Sequence, residues 1–346
     1  MFLAFNYPIT RLLNYPILLM LLCSVVTAQP AQSPDADLAA ARALINQGRV
    51  DDAIAQLSAL QQKMPSRPEI GRELGIAYYR KGDFLRAATL LQEAFTRRPE
   101  DNDVAQLLGL AYYLSGRPAA AIAPLERLRA SDPRASIDAA YVLSLCYALN
   151  REFDKARSSF ASLYAVPPDS AAAHVIFAAM LVRQGLDPVA EQEARAALAL
   201  NAGIPLGHYV LGEVAMYRAD YEKAIGEFQN EIRLNPAFAP ARTRAADAES
   251  HLSRSTEAEL EAERSMWLDS TTSEPLIVLA KTLLSQGRNE QAERTLLRAL
   301  ALDANSYTAH FLLGQVYRQL GKAEMADREF KLAAQIQQAQ TRNLPR

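Results

Sequence analysis

The 346-residue chain is poor in the residues that most chemistry requires. It has two cysteines, Cys23 and Cys146, one tryptophan and four histidines. It lacks a glycine-rich phosphate loop, a His-Glu-x-x-His helix and any Cys-x-x-Cys pair, the short arrangements by which a chain cradles phosphate or grips zinc. Three histidines, His174, His208 and His310, recur at one place in a repeating pattern. That shared place points to aromatic filling, because a zinc site takes three or four converging ligands. Acid pairs such as Asp51-Asp52, or Glu261 with Glu263, fall on expected turns and solvent faces. A catalytic carboxylate needs a pocket that tunes its pKa. The expectation is therefore no enzyme, no metal, no cofactor and no small-molecule substrate. A net charge of −2 without a basic stripe argues against nucleic acid as a partner.

Long apolar runs are almost absent too. The one exception, from Ile17 to Ala28, follows a lone charge at Arg11 and ends in the small-residue stretch Val26-Thr27-Ala28. Its length falls short of the roughly 20 residues a spanning helix needs, and its end suits a signal-peptidase site. Residues 1–28 are expected to be a signal peptide and 29–33 a polar leader, giving an exported protein of the periplasm or the secreted fraction. The alternative is a retained anchor through residues 12–28, and membrane contact is expected only in that case. Leu22 stands where a lipoprotein signal would have a small residue, so Cys23 is not expected to be lipidated. Cleavage leaves Cys146 as the only thiol, on an apolar stretch where cysteine behaves as a small buried hydrophobe.

What the chain does have is a period. Ala53, Ala87, Ala121, Ala156, Ala190, Ala224, Ala258, Ala292 and Ala326 are 34 residues apart at every step but the third, which is 35. A fixed period of this size means a stacked helical array. In the second unit Leu74, Gly75 and Tyr78 share one face of a first helix, and Gly82 ends it by tolerating the left-handed conformation. Ala87, Leu91 and Ala94 then form the face of a second helix, and Pro99 ends that one. Small Gly75 and Ala87 let the two helices cross closely, while Tyr78 and Leu91 fill the space around the crossing. The layout returns as Leu108, Gly109, Tyr112, Gly116 and Ala121, and again as Leu313, Gly314, Tyr317, Gly321 and Ala326. The seventh unit departs most, with Glu249 for the tyrosine, Ser253 for the turn glycine and Ser270 for the proline. It is expected to pack loosely and to bend the stack. The extra residue of the fourth unit is expected near Asn150 and Arg151.

These small, aromatic and proline positions resemble the tetratricopeptide repeat. The resemblance implies an all-α, right-handed superhelical solenoid of about nine helix-turn-helix hairpins over residues 34–340, followed by a tail, 341–346. Units start near 34, 68, 102, 137, 171, 205, 239, 273 and 307. It further implies a protein-interaction scaffold whose first helices line a concave groove, with the second, fifth, ninth, twelfth and thirteenth residues of each unit facing it. On units two to six those positions include Arg72, Tyr79, Leu110, Tyr113, Asp138, Tyr141 and Leu145. Further along they include Val175, Val182, Tyr209, Met216 and Tyr217. The groove so read is apolar and rich in tyrosine, suited to a protein or peptide partner that offers an apolar or amphipathic segment. The competing reading is that the tyrosines pack against second helices. Two other roles remain open: a structural or assembly subunit of an envelope or secretion complex, and the accessory chain of an enzyme complex.

Overall fold

The computed structural model describes residues 34–131 and 137–343. Among them the chain forms eighteen helices and no strands. The first three hairpins pair α1 (Pro34–Asn46) with α2 (Val50–Lys63), α3 (Pro68–Lys81) with α4 (Phe84–Arg97), and α5 (Asn102–Leu114) with α6 (Pro118–Ser131). The next three pair α7 (Ile137–Leu149) with α8 (Phe153–Leu163), α9 (Ala171–Arg183) with α10 (Asp187–Leu200), and α11 (Gly207–Tyr217) with α12 (Tyr221–Leu234). The last three pair α13 (Ala239–His251) with α14 (Ser255–Leu268), α15 (Glu274–Ser285) with α16 (Asn289–Leu302), and α17 (Tyr307–Gln319) with α18 (Ala323–Asn343). Each second helix packs against its own first helix and against the first helix of the next unit, so the array is an all-α repeat solenoid.

Local chemistry sets the helix ends. Asp83, Asp101, Ser170, Asp220 and Ser306 cap α4, α5, α9, α12 and α17, each side chain accepting a bond from the backbone N–H three residues on. Every hairpin turn passes through one residue in the left-handed region. Six of these are glycines, and the other three are Arg151, Ala219 and Ser253, with φ of 63°, 55° and 59°. The turn geometry therefore outlasts the loss of its glycine. The hairpins close as tightly as the small residues permit: a Cβ on Gly109 would lie 2.4 Å from the Leu125 side chain, and one on Gly212 would lie 2.4 Å from the Phe228 ring.

The extra residue is not at Asn150–Arg151. Tyr147 to Arg151 spans the same four residues as Tyr112 to Gly116, and α6 has the usual fourteen residues. The extra residue falls between Ser131, the end of α6, and Ile137, the start of α7. Pro133 falls in that interval, outside the described residues.

The seventh unit does not pack loosely either. α13 lies closer against α15 than any other successive pair of first helices among the described residues, because Ala241, Ala245, Ala246 and Ala248 are fully buried and admit near approach. Buried polar bonds add to it: the Thr243 and Ser265 hydroxyls meet at 2.7 Å, and Ser265 donates to the Ala239 carbonyl at 3.0 Å. The thin junction lies instead between units four and five. There α8 stops at Leu163, two residues short of the next turn position, Ala165 (φ 53°), and α7 does not pack closely on α9. Arg157 bridges the gap, bonding Glu193 at 2.9 Å and the Pro168 carbonyl at 3.1 Å.

Candidate partner-binding face

First helices of successive units pack on one another at every junction except that between units four and five, whereas second helices lie further apart and meet across units through long side chains, as Arg157 of α8 does with Glu193 of α10. The first helices therefore form the inner face and the second helices splay around the outside.

The twelve sequence-predicted groove residues lie in α3, α5, α7, α9 and α11, but they do not form one open apolar surface. Leu145, Val175 and Val182 are buried, with 3%, 4% and 6% of their surface exposed, and are no part of an accessible groove. α7 and α9 are apolar around most of their circumference, so residues beyond the hairpin crossing are also withdrawn from water. Tyr209 is largely buried, its ring edge-on to Phe238 at 5.2 Å and tilted against Phe228 at 5.7 Å; burial raises its hydroxyl pKa. Tyr141 meets Phe160 of α8 at 5.6 Å, and Tyr79 meets Phe84 at 5.6 Å. Tyr113 is half-buried against the largest core cluster, Leu110 is half-buried, and Met216 packs against the α11–α13 cluster. Arg72 is held by Asp101 at 2.9 Å and by Glu73 at 3.0 Å. Tyr217 is exposed, at 63%. The Asp138 side chain lies outside the described residues. Packing against second helices thus accounts for Tyr141 and Tyr209, leaving Tyr217 as the ring most open to a partner.

A concavity lies further along the same face. A cavity of about 820 Å³ opens between α13, α15 and α17, lined among others by Thr243, Asp247, Glu274, Lys281, Ser285 and Gln315. These stand at the positions assigned to the groove, in units seven to nine. A search for apolar groove residues passes over them, although the period marks them equally well. Charges alternate along its inner wall. Glu213 holds Arg244 at 2.5 and 2.9 Å, Asp247 holds Lys281 at 3.0 Å, and Lys281 reaches His251 at 3.1 Å.

The three registered histidines are not simply aromatic filling. Each ring Nδ1 bonds the glutamate nineteen residues on, across its own hairpin: His174 to Glu193 at 2.5 Å, His208 to Glu227 at 2.7 Å and His310 to Glu329 at 2.6 Å. Arg242 and Glu261 repeat the pair at 2.7 Å in unit seven. The spacing of nineteen was available in the sequence as a signal. No group of three or more metal-ligating side chains occurs among the described residues. The Cys146 thiol is fully buried, and burial pushes its pKa up to about 12. Glu249 is also buried; desolvation, with Glu261 and Glu257 nearby, pushes its carboxyl up to about 7, and it lies outside the inner-face cavity.

Nine stacked hairpins with small residues at the crossings and an inner face of first helices define a helical-repeat interaction scaffold. Models described as tetratricopeptide repeat match residues 72–136, 209–266 and 307–340, and one described as TPR repeat matches 280–321, together more than half of the chain. The chain belongs to the tetratricopeptide repeat family. No curated protein matches it significantly. Among solved structures, one of the APC/C hetero-tetramer Cut9-Hcn1 is 20% identical over 82% of this chain and 56% of its own, with a TM-score of 0.44. The chain thus spans little more than half the length of that protein. A tetratricopeptide repeat protein from Parabacteroides merdae is 16% identical over 82% of this chain and 99% of its own, with a TM-score of 0.39. YrrB, a TPR protein with an unusual peptide-binding site, is 18% identical over 52% of this chain and 93% of its own, with a TM-score of 0.41.

Proposed function

We propose that the chain is an exported scaffold that holds a protein or peptide partner along its inner face, the partner presenting an apolar or amphipathic segment to Tyr217 and the half-buried Tyr113. The observation that supports this reading is the packing of first helix on first helix at every junction but that between units four and five, which sets the groove positions of neighbouring units side by side on preordered helices. A preordered surface loses little entropy when it binds. Export rests on Arg11, the apolar run to Ala28 and the small residues that close it.

The test begins with crosslinked capture from the native envelope and identification of the partner by mass spectrometry. Tyr217→Ser should then weaken its affinity strongly, since truncated aromatic hot spots commonly cost about 2 kcal/mol or more, with circular dichroism unchanged. Tyr209→Ser should lower helicity as well, because its ring packs against two phenylalanines. Unchanged affinity in Tyr217→Ser would move the partner off this face. N-terminal sequencing should find a mature chain beginning at Gln29; an intact Met1 end in the membrane fraction would favour the anchor.

A further inference from the structure

Unit seven buries an ionisable group that partner binding on the inner face does not use. Glu249 of α13 stands where the tyrosine of other units reaches the second helix of the preceding unit, as Tyr112 does in bonding Gln92 at 2.9 Å and Tyr147 in bonding Glu126. The glutamate is buried, and its Oε2 meets no hydrogen-bond partner among the described residues. Two turns earlier on the same helix, the buried Nε of Arg242 also lacks a partner, while its Nη1 is committed to Glu261 at 2.7 Å. The charges around Glu249 do not compensate it. Glu257 and Glu261 of α14 oppose a negative charge there. Arg254 in the turn would favour one, but Glu222 of α12 holds it at 2.5 and 3.0 Å. The remaining charges of the neighbouring helices lie on the inner side of α13: Glu213 of α11 holds Arg244, and Lys281 of α15 bonds Asp247 and His251. His251 also stacks on Tyr221 of α12 at 4.5 Å. One side of α13 thus carries an acid without a counterion, and the other is a wall of the inner-face cavity through Thr243, Arg244 and Asp247.

We propose that unit seven is a proton-operated section of the inner face: while Glu249 is uncharged α13 stays seated on α14, and when Glu249 ionises α13 shifts and carries the cavity wall with it. This regulation rests on the inner face being the partner-binding surface. The proton leaves to bulk water, so the whole change is one negative charge in a place that offers it no donor. A buried charge without a partner is far costlier than one in water. Burial, with Glu261 and Glu257 nearby, accordingly pushes the carboxyl up to about 7. The seated form therefore keeps a proton that a hydrated carboxylate would have lost. Its advantage is full below the ordinary carboxylate value, falls as pH rises from about 4.5 to 7, and levels off above that. The packing permits the movement, because Ala241, Ala245, Ala246 and Ala248 are buried through methyl groups and not through interlocking side chains. Packed helices slide across such contacts by small amounts.

Hydrogen exchange resolved by helix reads this movement in the full-length chain without any partner. Runs at pH 5.5 and pH 8, each corrected for the intrinsic exchange rate, should show opening of α13 and α14 rising roughly tenfold or more as Glu249 ionises. Units two to four should keep their protection. Glu249→Gln should show no such rise. Glu257→Gln, a change at an exposed site on α14, provides a second variant should the first lose its circular dichroism. It removes one repelling charge, so opening should level off at a lower pH than in the parent. Equal protection of the parent at both pH values would mean that the carboxylate finds water by side-chain rotation alone, and would overturn the proposal. So would an undiminished rise in Glu249→Gln, which would assign the effect to another group such as His251. A rise spread evenly over all helices would be global unfolding and would overturn it equally. Because exchange needs no partner, these results bear on the proton-operated movement alone, whereas a partner whose affinity ignores Tyr217→Ser counts against the inner face as its site.

Discussion

Tyr147 of unit four and Glu249 of unit seven hold the same place in their hairpins and are buried alike, at 2% and 4% exposure. Tyr147 sits in the largest core cluster and donates its hydroxyl to Glu126. Glu249 has a carboxylate oxygen with no hydrogen-bond partner, and burial drives its pKa up to about 7. Both hairpins nevertheless close with the same left-handed turn, through Arg151 and Ser253. The difference teaches that small crossing residues and turn geometry hold the repeat backbone, while this position is free to change chemistry. The two regions have used that freedom differently. Units three to six are joined by one apolar cluster, whereas unit seven is held by alanine packing, the Thr243–Ser265 bond and ion pairs.

The comparison breaks first at Tyr147. Tyr147→Ala should cost about 3–5 kcal/mol, the range for truncating a buried aromatic ring. A solenoid can unfold in parts, so hydrogen exchange resolved by helix is the suitable measurement, with protection lost first in α7 and α8. A loss below about 1 kcal/mol would mean that neighbouring units, not this ring, hold the hairpin.

Glu249 should behave in the opposite sense. Its folded pKa lies above the ordinary carboxylate value, so between about 4.5 and 7 the folded state keeps a proton that the unfolded state has lost. Stability must then fall as pH rises through that window and level off above it. Glu249→Gln removes the charge at nearly constant volume. At pH 8 it should stabilise α13 and α14 by about 3–4 kcal/mol, from roughly 1.4 kcal/mol per unit of displacement, with the gain vanishing below pH 4. Equal stability of variant and parent at pH 8 would show that water reaches this carboxylate.

Much of this contrast was legible beforehand. The period placed the hairpins, the crossings at Gly75 and Gly109, and the anomaly at Glu249. It did not reveal that unit seven packs closely, because the missing tyrosine and glycine conceal four buried alanines that admit near approach. Nor did it find the thin junction between units four and five, where α8 ends early despite a regular pattern. On the inner face, the repeat identified positions but not their exposure. Leu145 and Val182 belong to helices apolar nearly all round, and burial of such positions depends on curvature that a period does not encode. The cavity at Lys281 and Gln315 escaped because apolar character was the criterion, and that region is mixed.

The smallest effect expected is at the turns of units seven to nine, each of which is fastened by an ion pair. Arg254 bonds Glu222 at 2.5 and 3.0 Å, Arg288 bonds Glu259 at 2.6 Å, and Lys322 bonds Glu293 at 2.9 Å, each tying a turn to the second helix of the preceding unit. All three cations are about two-fifths exposed. In that setting the Coulomb gain is screened and two long side chains lose rotamer freedom, so exposed pairs contribute about 0–1 kcal/mol. Arg254→Ala should therefore cost no more than about 0.5 kcal/mol at low salt and nothing measurable in about 1 M salt, where the screening length falls to roughly 3 Å. Denaturant melts of parent and variant at the two salt concentrations provide the check. A loss above about 1 kcal/mol that survives high salt would mean that these links are more than solvated pairs. The C-terminal units would then depend on electrostatics for the stability that units three to six derive from apolar burial.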